Sequence, residues 1–498
     1  MCGVFSYFGK SNRYVKESLN KIQYRGPDNT QILRVDSQMY FGFHRLAIMG
    51  TGQRGNQPMS HPDNPDLIMV CNGEIYNYIH LSEEYGFNLK TGSDCEVILF
   101  MFEKFGIKRT LDELDGVFMF SIYNKISKEL IASRDPMGVR PGFIGSEGND
   151  LFIASEAKAL IDLSLNVKPF TPGTWWSSND QHTFNRYFNY SPEQIVFDSE
   201  KNICSNIETR LTEAVKKRLM SEREIGCLLS GGLDSSLITS LVSKYYTGPK
   251  LNTFSIGMPG SVDLIYADTV AKFIGTNHHQ IEISEIDFLN SIEKVIYNIE
   301  SFDTTTVRAS VGNYLVSKYI KDNSDCKVIF NGDGSDEVCC GYVYLKNAPN
   351  HLELQKESEK LVEELYYYDV LRSDRSISSN GLEPRTPFLD KNFVKYYLSI
   401  DPKLKEFDGD ERLEKYLLRK AFDNKGLLPV EVLWRRKVAF SDGVSSKKKS
   451  WHKIIQSHVD QIISDDEFIR ESKKINHCRP ILKESYYYRK IFNSHYNN

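Results

Sequence analysis

IGCLLSGGLDSSLITSLVSKYY, residues 225–246, holds a strand, a turn and a helix in one stretch. IGCLLS (225–230) is a short apolar run of the kind that forms a buried strand. Two adjacent glycines then permit a tight turn, and LDSSLITSLVSKYY continues with helical spacing. A strand feeding a helix through a glycine turn opens a parallel α/β unit. The flanking sequence repeats the alternation. SNIETRLTEAVKKRLM (205–220) reads as an amphipathic helix. LNTFSIGM (251–258), HHQIEIS (278–284) and KVIFNGDG (327–334) read as strands, separated by helical stretches such as DLIYADTVAKFIG (263–275) and DFLNSIEKVIYNIE (287–300). The expectation is a parallel sheet with crossover helices, followed from about residue 350 by a mostly helical part.

The N-terminal half follows another pattern. MYFGFHRLAI (39–48), DLIMVCNGEIY (66–76), GVFMFSIYN (116–124), KELIASRD (128–135) and DLFIASEAKAL (150–160) are β-type runs separated by Gly, Asn, Asp and Pro turns. Helical spacing occurs at VKESLNKIQ (15–23) and DCEVILFMFEKFG (94–106). Packed sheets with flanking helices, an α+β arrangement, are expected. The polar stretch 176–202 reads as irregular. The expected domains are 2–187 and 205–498, with 188–204 as the linker.

Composition narrows the class. The 498 residues suit two to four domains. A net charge of −4 and a pI near 6.3 leave no electrostatic footprint for nucleic acid, and SSKKKSW (445–451) reads as a solvated turn. No run is apolar and long enough to span a membrane, and the first residues lack a signal-peptide core. The nine cysteines are odd in number and lack metal-site spacing, which suits reduced thiols in the cytoplasm.

Two constellations carry chemistry. Cys2 directly follows Met1, and methionine is normally trimmed before a small residue. Trimming would give Cys2 a thiol and a free α-amine, whose ordinary pKa near 8 suits a general base. A reactive cysteine also needs oxyanion donors and groups that fix its substrate. Asn72 and Gly73, in NGEIYN (72–77), offer an amide and a backbone N–H. Arg45, in HRLAIMG (44–50), offers a fork for a carboxylate, and Glu74 and Asp94 offer partners for an ammonium. Together these would hold an α-amino acid such as glutamine.

The second constellation is SGGLDSS (230–236). Converging backbone N–H groups and a helix N-terminus make an anion cradle, with Ser230, Ser235 and Ser236 adding hydroxyls. It lacks the lysine and spacing of a Walker loop. Asp234 and Asp336 are candidate Mg²⁺ ligands, since Mg²⁺ takes oxygen ligands shared with phosphates. Ile256 offers an apolar contact for a base. Thr305, Thr306 and Arg308 offer hydroxyl and guanidinium donors, and Lys437 a cation.

The motifs MCGVF, RGPD, HRLAI, NGEIYN and SDCE resemble the class II glutamine amidotransferase domain, an N-terminal-nucleophile hydrolase. The resemblance implies an αββα sandwich, nucleophilic attack by Cys2 on the glutamine carboxamide, and glutamine contacts from Arg45, Leu46, Ala47, Ile48, Met49, Asn72, Gly73, Glu74 and Asp94. SGGLDSS resembles the PP-loop of the ATP pyrophosphatases. With GLEPRTPFLD (381–390) and WRRKVAFSDG (434–443), nearly the whole chain resembles the glutamine-hydrolysing asparagine synthetase family. That implies ATP contacts from Leu228, Leu229, Ser230, Gly231, Gly232, Asp234, Ser235, Ile256, Asn331 and Gly332. It implies contacts to aspartate or its β-aspartyl-AMP from Thr305, Thr306, Arg308 and Asp333, and catalytic roles for Asp333 and Lys437. It further implies Mg²⁺, an internal passage for ammonia, and a homodimer, with Arg25, Met119 and 134–143 near the domain junction. One departure stands out: where the family carries Ser-Gly-Glu-Gly, this chain has Asn331-Gly332-Asp333-Gly334, with a carboxylate one methylene shorter. The alternatives are another glutamine-dependent PP-loop amide-forming ligase and a non-catalytic binding descendant.

Overall fold

The computed structural model describes residues 1–10, 15–437, 443–445 and 450–496. The lysines of SSKKKSW and residues 438–442 of WRRKVAFSDG lie outside the described residues. The N-terminal half builds two six-stranded antiparallel sheets. In the first, Gly3–Phe8 lies between Asp150–Ala154 and Met39–Arg45, with Asn29–Arg34 at one edge. In the second, Gly116–Asn124 pairs with Leu67–Ile75 and Glu129–Arg134. Side chains alternate across each strand, and this separates the layers. Val4, Phe41 and Phe43 of one sheet meet Val70, Met119 and Trp176 of the other in a shared core. Phe5, Tyr7 and Phe152 turn outward under Leu19 of helix Lys16–Asn20. On the far side, Met69, Cys71, Phe118 and Phe120 pack on Val97 and Met101 of helix Glu96–Glu113. The result is the expected αββα sandwich.

The polar stretch after 176 differs from its reading. Asp180–Arg186 is an edge strand paired with Thr174–Ser177, and helix Glu200–Lys217 begins behind a Ser199 cap. The strand's residues are mostly exposed, so its sequence carries no apolar alternation.

The second half contains a five-stranded parallel sheet ordered Asn277–Glu282, Asn252–Gly257, Ile225–Leu228, Val328–Phe330, Glu383–Arg385. Chain order runs outward in both directions from Ile225–Leu228, so the sheet has its switch point between that strand and Val328–Phe330. Crevices at the carboxyl ends of such strands are where α/β folds bind ligands. Helices between His351 and Tyr496 pack on this half, with Trp451, Ile455 and Tyr488 buried against Phe288 and Ile296.

The halves share buried contacts. Leu46, Ile48, Val117, Met137 and Val139 belong to the same core as Ile225, Leu237 and Phe388. Arg140 lies 3.4 Å from Glu383. Met119 instead lies inside the sandwich core. The densest junction surrounds Arg25, which is fully buried. Its Nε donates to the Cys2 carbonyl (3.0 Å), its Nη atoms form two bonds with Asp374 (2.9 and 3.1 Å), and Nη1 also reaches Ser378 and Glu156. Burial would raise the Glu156 carboxyl, but Lys158, Arg25 and Arg375 hold it well below the ordinary range. Removing one member of such a network strands the others in a dry interior. Arg25→Met is therefore expected to destabilise the junction by about 3–5 kcal/mol, seen as a lower thermal midpoint. An unchanged midpoint would show that the network contributes nothing to stability.

Candidate active site

Cys2 directly precedes strand Gly3–Phe8, which lies inside its sheet. Its backbone N–H donates to Asn72 Oδ1 (2.9 Å), and its Sγ contacts the Leu46 carbonyl (3.6 Å). Met1 is buried ahead of it, and burial pulls the Met1 amine down to about 6. Burial also pushes the Cys2 thiol up, so the thiol needs a base to become nucleophilic. Asn72 sits on strand Leu67–Ile75, and its Nδ2 is buried with no hydrogen-bond partner among the described residues. A buried donor left open beside a thiol is suited to a developing oxyanion. Gly73 follows it, and a Cβ there would come within 2.7 Å of the Val117 carbonyl. Asp94 is buried, accepts from the Ile75 N–H (2.6 Å), and is pushed up to about 6 chiefly by burial.

Two predicted glutamine contacts are differently engaged. Arg45 donates to the Gly52 carbonyl and Asn56 Oδ1 (2.8 Å each), and to the carbonyls of Met49 and Gly50. These bonds occupy four of its five N–H groups, so the side chain braces the loop that starts with Leu46 and Ala47. Glu74 faces Arg385 of the other half (3.3 Å), and burial raises its carboxyl well above the ordinary range.

The second constellation surrounds a cavity of about 320 Å³ at the switch point. Leu228, Ser230, Gly232, Asp234 and Ser235 line one side, and Asn331, Gly332, Asp333 and Asp336 another. The cradle is ordered by its own hydroxyls: Ser230 Oγ lies 2.9 Å from Ser235 Oγ, which accepts from the Ser230 N–H (3.1 Å). No side chain caps helix Leu233–Tyr245, so its first-turn N–H groups remain for an anion. Gly231 adopts φ +73, and a Cβ there would come within 2.4 Å of the Ala267 nitrogen.

Lys415 organises the acidic groups. Its Nζ lies 2.6 Å from both Asp234 and Asp336, and Lys437 lies 2.5 Å from Asp336. Burial opposes the Asp336 charge, but the two ammonium groups hold its carboxyl well below the ordinary range. Lys415 adopts φ +59, a left-handed conformation that costs a lysine on the order of 1 kcal/mol and carries Nζ between the carboxylates. Nothing local in the sequence marks it. The same is true of Arg372, which lines the cavity and pairs with Asp333 (2.7 Å) and Asp369 (2.8 Å). Beside them Glu337 is pushed up to about 8, first by burial and then by Asp369 and Asp336. Asn331 holds the departing turn: its Oδ1 accepts from the Asp333 N–H (3.3 Å), and its Nδ2 donates to Ser373 Oγ (2.8 Å).

Several predicted contacts lie elsewhere. Thr305 lines the cavity, but the Thr306 hydroxyl bonds Asp303 at the start of helix Thr304–Asn323. Arg308 forms a two-bond pair with Glu484 of helix Lys483–Tyr496 and does not line the cavity. The paired guanidinium ties helix Thr304–Asn323 to helix Lys483–Tyr496. Leu229, Ile256 and Ser236 are buried and are not among the residues lining the cavity.

Two oxygen-donor carboxylates, Asp234 and Asp336, open onto one cavity beside the cradle. That donor set fits Mg²⁺ held jointly with phosphates, although no cluster of three or more His, Cys, Asp or Glu residues among the described residues could hold a metal alone. No helix among them is long and apolar enough to cross a membrane.

A glutamine amidotransferase domain family matches residues 1–202, and the asparagine synthase family matches 206–354 and 346–498. The chain is 41% identical to the asparagine synthetase [glutamine-hydrolyzing] of Rattus norvegicus over 530 residues, covering 100% of this chain and 94% of the relative. The Gallus gallus protein of the same name matches with the same identity and coverage. Among solved structures, glutamine phosphoribosylpyrophosphate (PRPP) amidotransferase from B. subtilis is 18% identical, covering 56% of this chain and 81% of that chain, with a TM-score of 0.35.

Proposed function

The chain belongs to the glutamine-hydrolysing asparagine synthetase family, and on that premise we propose that it makes asparagine from aspartate, ATP and glutamine at these two sites. Glutamine binds under the 45–51 loop, and the Cys2 thiolate attacks its carboxamide carbon. Removal of Met1 leaves the Cys2 α-amine as the base that takes the thiol proton, beside Asn72. Asn72 Nδ2 and the Gly73 N–H hold the oxyanion. The α-ammonium so formed passes its proton to the departing nitrogen, ammonia leaves, and water then hydrolyses the thioester to glutamate, returning the Cys2 thiol. At the cavity, the aspartate β-carboxylate attacks the α-phosphorus of ATP and pyrophosphate departs into the SGGLDSS cradle. Ammonia attacks the resulting acyl carbon, loses a proton and expels AMP. Lys415 and Lys437 keep Asp336 ionised, and Arg372 aims the Asp333 carboxylate. Mg²⁺, held by Asp234 and Asp336, would neutralise charge on the phosphates.

The observation that carries the reading is the pairing of sites within one chain: a thiol beside an open buried amide, and a hydroxyl-lined anion cradle facing two carboxylates. Ammonia in water at neutral pH is mostly protonated and cannot attack, so the buried junction is the natural route between them. The free state of all nine cysteines supports a cytoplasmic setting; the homodimer rests on the resemblance.

Pyrophosphate release, measured with aspartate against a panel of other carboxylic acids, tests the reading. Release is expected with aspartate far above the rest and only with Mg²⁺ present, giving asparagine and AMP in equal amounts. Preference for another acid would favour a different amide-forming ligase, and no release with any acid would favour a binding protein.

A further inference from the structure

The loop that carries the proposed glutamine contacts is not held by its own half of the molecule alone. Glu222 and Arg223 lie between helix Glu200–Lys217 and strand Ile225–Leu228, just ahead of the phosphate cradle. Glu222 Oε1 accepts from the Gly50 N–H (2.9 Å), and Oε2 accepts from the Thr51 N–H (3.0 Å) and hydroxyl (2.6 Å). The Glu222 N–H donates to the Ile48 carbonyl (3.1 Å), and Arg223 Nε donates to the Ala47 carbonyl (2.8 Å). Each residue from Ala47 to Thr51 except Met49 therefore has a bond to the synthetase half, and Met49 is taken by Arg45 from within.

From its own half the loop is held by Arg45 and by Asp28, whose Oδ2 accepts from the Ala47 N–H (2.8 Å), but neither reaches the Gly50 and Thr51 N–H groups. Gly50 turns with φ +54 and packs so tightly on the neighbouring 91–96 loop that a Cβ would come within 2.6 Å of Gly92. That second loop carries Asp94, and Leu46 at the start of the first contacts the Cys2 thiol. Backbone amides and carbonyls at a turn need partners from outside the turn, and a carboxylate accepting several N–H bonds is a strong one.

We infer that Glu222 and Arg223 are positioning residues for glutamine: the synthetase half completes the glutamine loop and sets its affinity. This rests on the reading of Cys2 as the glutaminase nucleophile. Neither side chain needs to touch a reacting atom. Losing the carboxylate frees the Gly50 and Thr51 N–H groups to water and loosens the loop, which weakens binding more than chemistry.

Glutaminase kinetics of Glu222→Ala and Glu222→Gln test this, with ammonium-dependent asparagine synthesis and the thermal midpoint measured on the same preparations. Both side chains are exposed, so folding is expected to survive. Glu222→Ala should raise KM for glutamine about fivefold with kcat within about twofold. Glu222→Gln, which keeps one acceptor oxygen, should fall between it and the parent. Ammonium-dependent synthesis and the midpoint should stay at parent values. An unchanged KM in the Glu222→Ala, Arg223→Ala double variant would overturn the inference. Equal loss of both reactions would overturn it as well, since that marks support of the fold alone. Failure of the parent to hydrolyse glutamine would refute the underlying reading instead, and is seen before any variant is compared.

Discussion

Cys2→Ala is expected to lower glutamine-dependent asparagine formation by on the order of 10⁴–10⁶-fold, while formation from ammonium salts stays within about twofold of the parent. The size follows from removing the only atom that bonds to the carboxamide carbon; what remains is the oxyanion site and binding. The selectivity follows from geometry. Cys2 is anchored through its backbone: the N–H to Asn72, and the carbonyl to Arg25 of the junction network. The thiol makes one long contact, to the Leu46 carbonyl. Alanine keeps both backbone bonds and is also small enough for Met1 to be trimmed. The aspartate cavity, lined by residues from 228 onward, should not register the change. The measurement is asparagine formed with glutamine or with ammonium as nitrogen donor. Parallel loss of both would mean that Cys2 supports the fold or the junction and is not a dedicated nucleophile. Mass spectrometry of the active parent should find Cys2 as its first residue; a fully active protein that keeps Met1 would remove the α-amine from the mechanism.

Lys415→Met should cut pyrophosphate release from ATP and aspartate on the order of a hundredfold, with glutaminase activity preserved. Lys415 is the common counter-ion of Asp234 and Asp336, 2.6 Å from each. Two carboxylates facing one cavity without it repel each other. Lys437 would still serve Asp336, so the loss falls most heavily on Asp234, beside the cradle. Methionine matches the length of the lysine stem and keeps its packing, which separates lost charge from lost volume. Raised Mg²⁺ should recover part of the rate, because a dication can replace the missing positive charge between oxygen donors. Pyrophosphate release equal to the parent would exclude Lys415 from adenylation, and loss of glutaminase as well would point to a folding defect.

Much of this protein was legible before its structure. Packed sheets with flanking helices followed from the β-type runs and two helical stretches, the αββα order from the resemblance, and the parallel sheet from the alternation around 225–246. Cys2 and the Ser230–Ser235 cradle stood out as candidates because their chemistry is local, whereas Asn72, Gly73 and Asp94 stood out by motif, and the fold brings Asn72 to Cys2 across 70 residues. A strand, a glycine turn and a helix start must be contiguous to bring N–H groups onto an anion, and a thiol with its own α-amine must sit in one residue. The edge strand Asp180–Arg186 was missed because an exposed strand has no buried face to impose alternation.

Only the tertiary structure decided which long side chains meet. Arg308 looked free for substrate and is matched to Glu484, 176 residues away. Arg45 braces its own loop. Lys415 reaches Asp234 across 181 residues, and Glu222 reaches Gly50 across 172. A lysine or arginine carries its charge at the end of a flexible stem of several rotatable bonds, so spacing along the chain does not say where that charge goes. Its partner is chosen by burial, where an unpaired ion costs too much to leave, and burial exists only once the sheets and helices have packed.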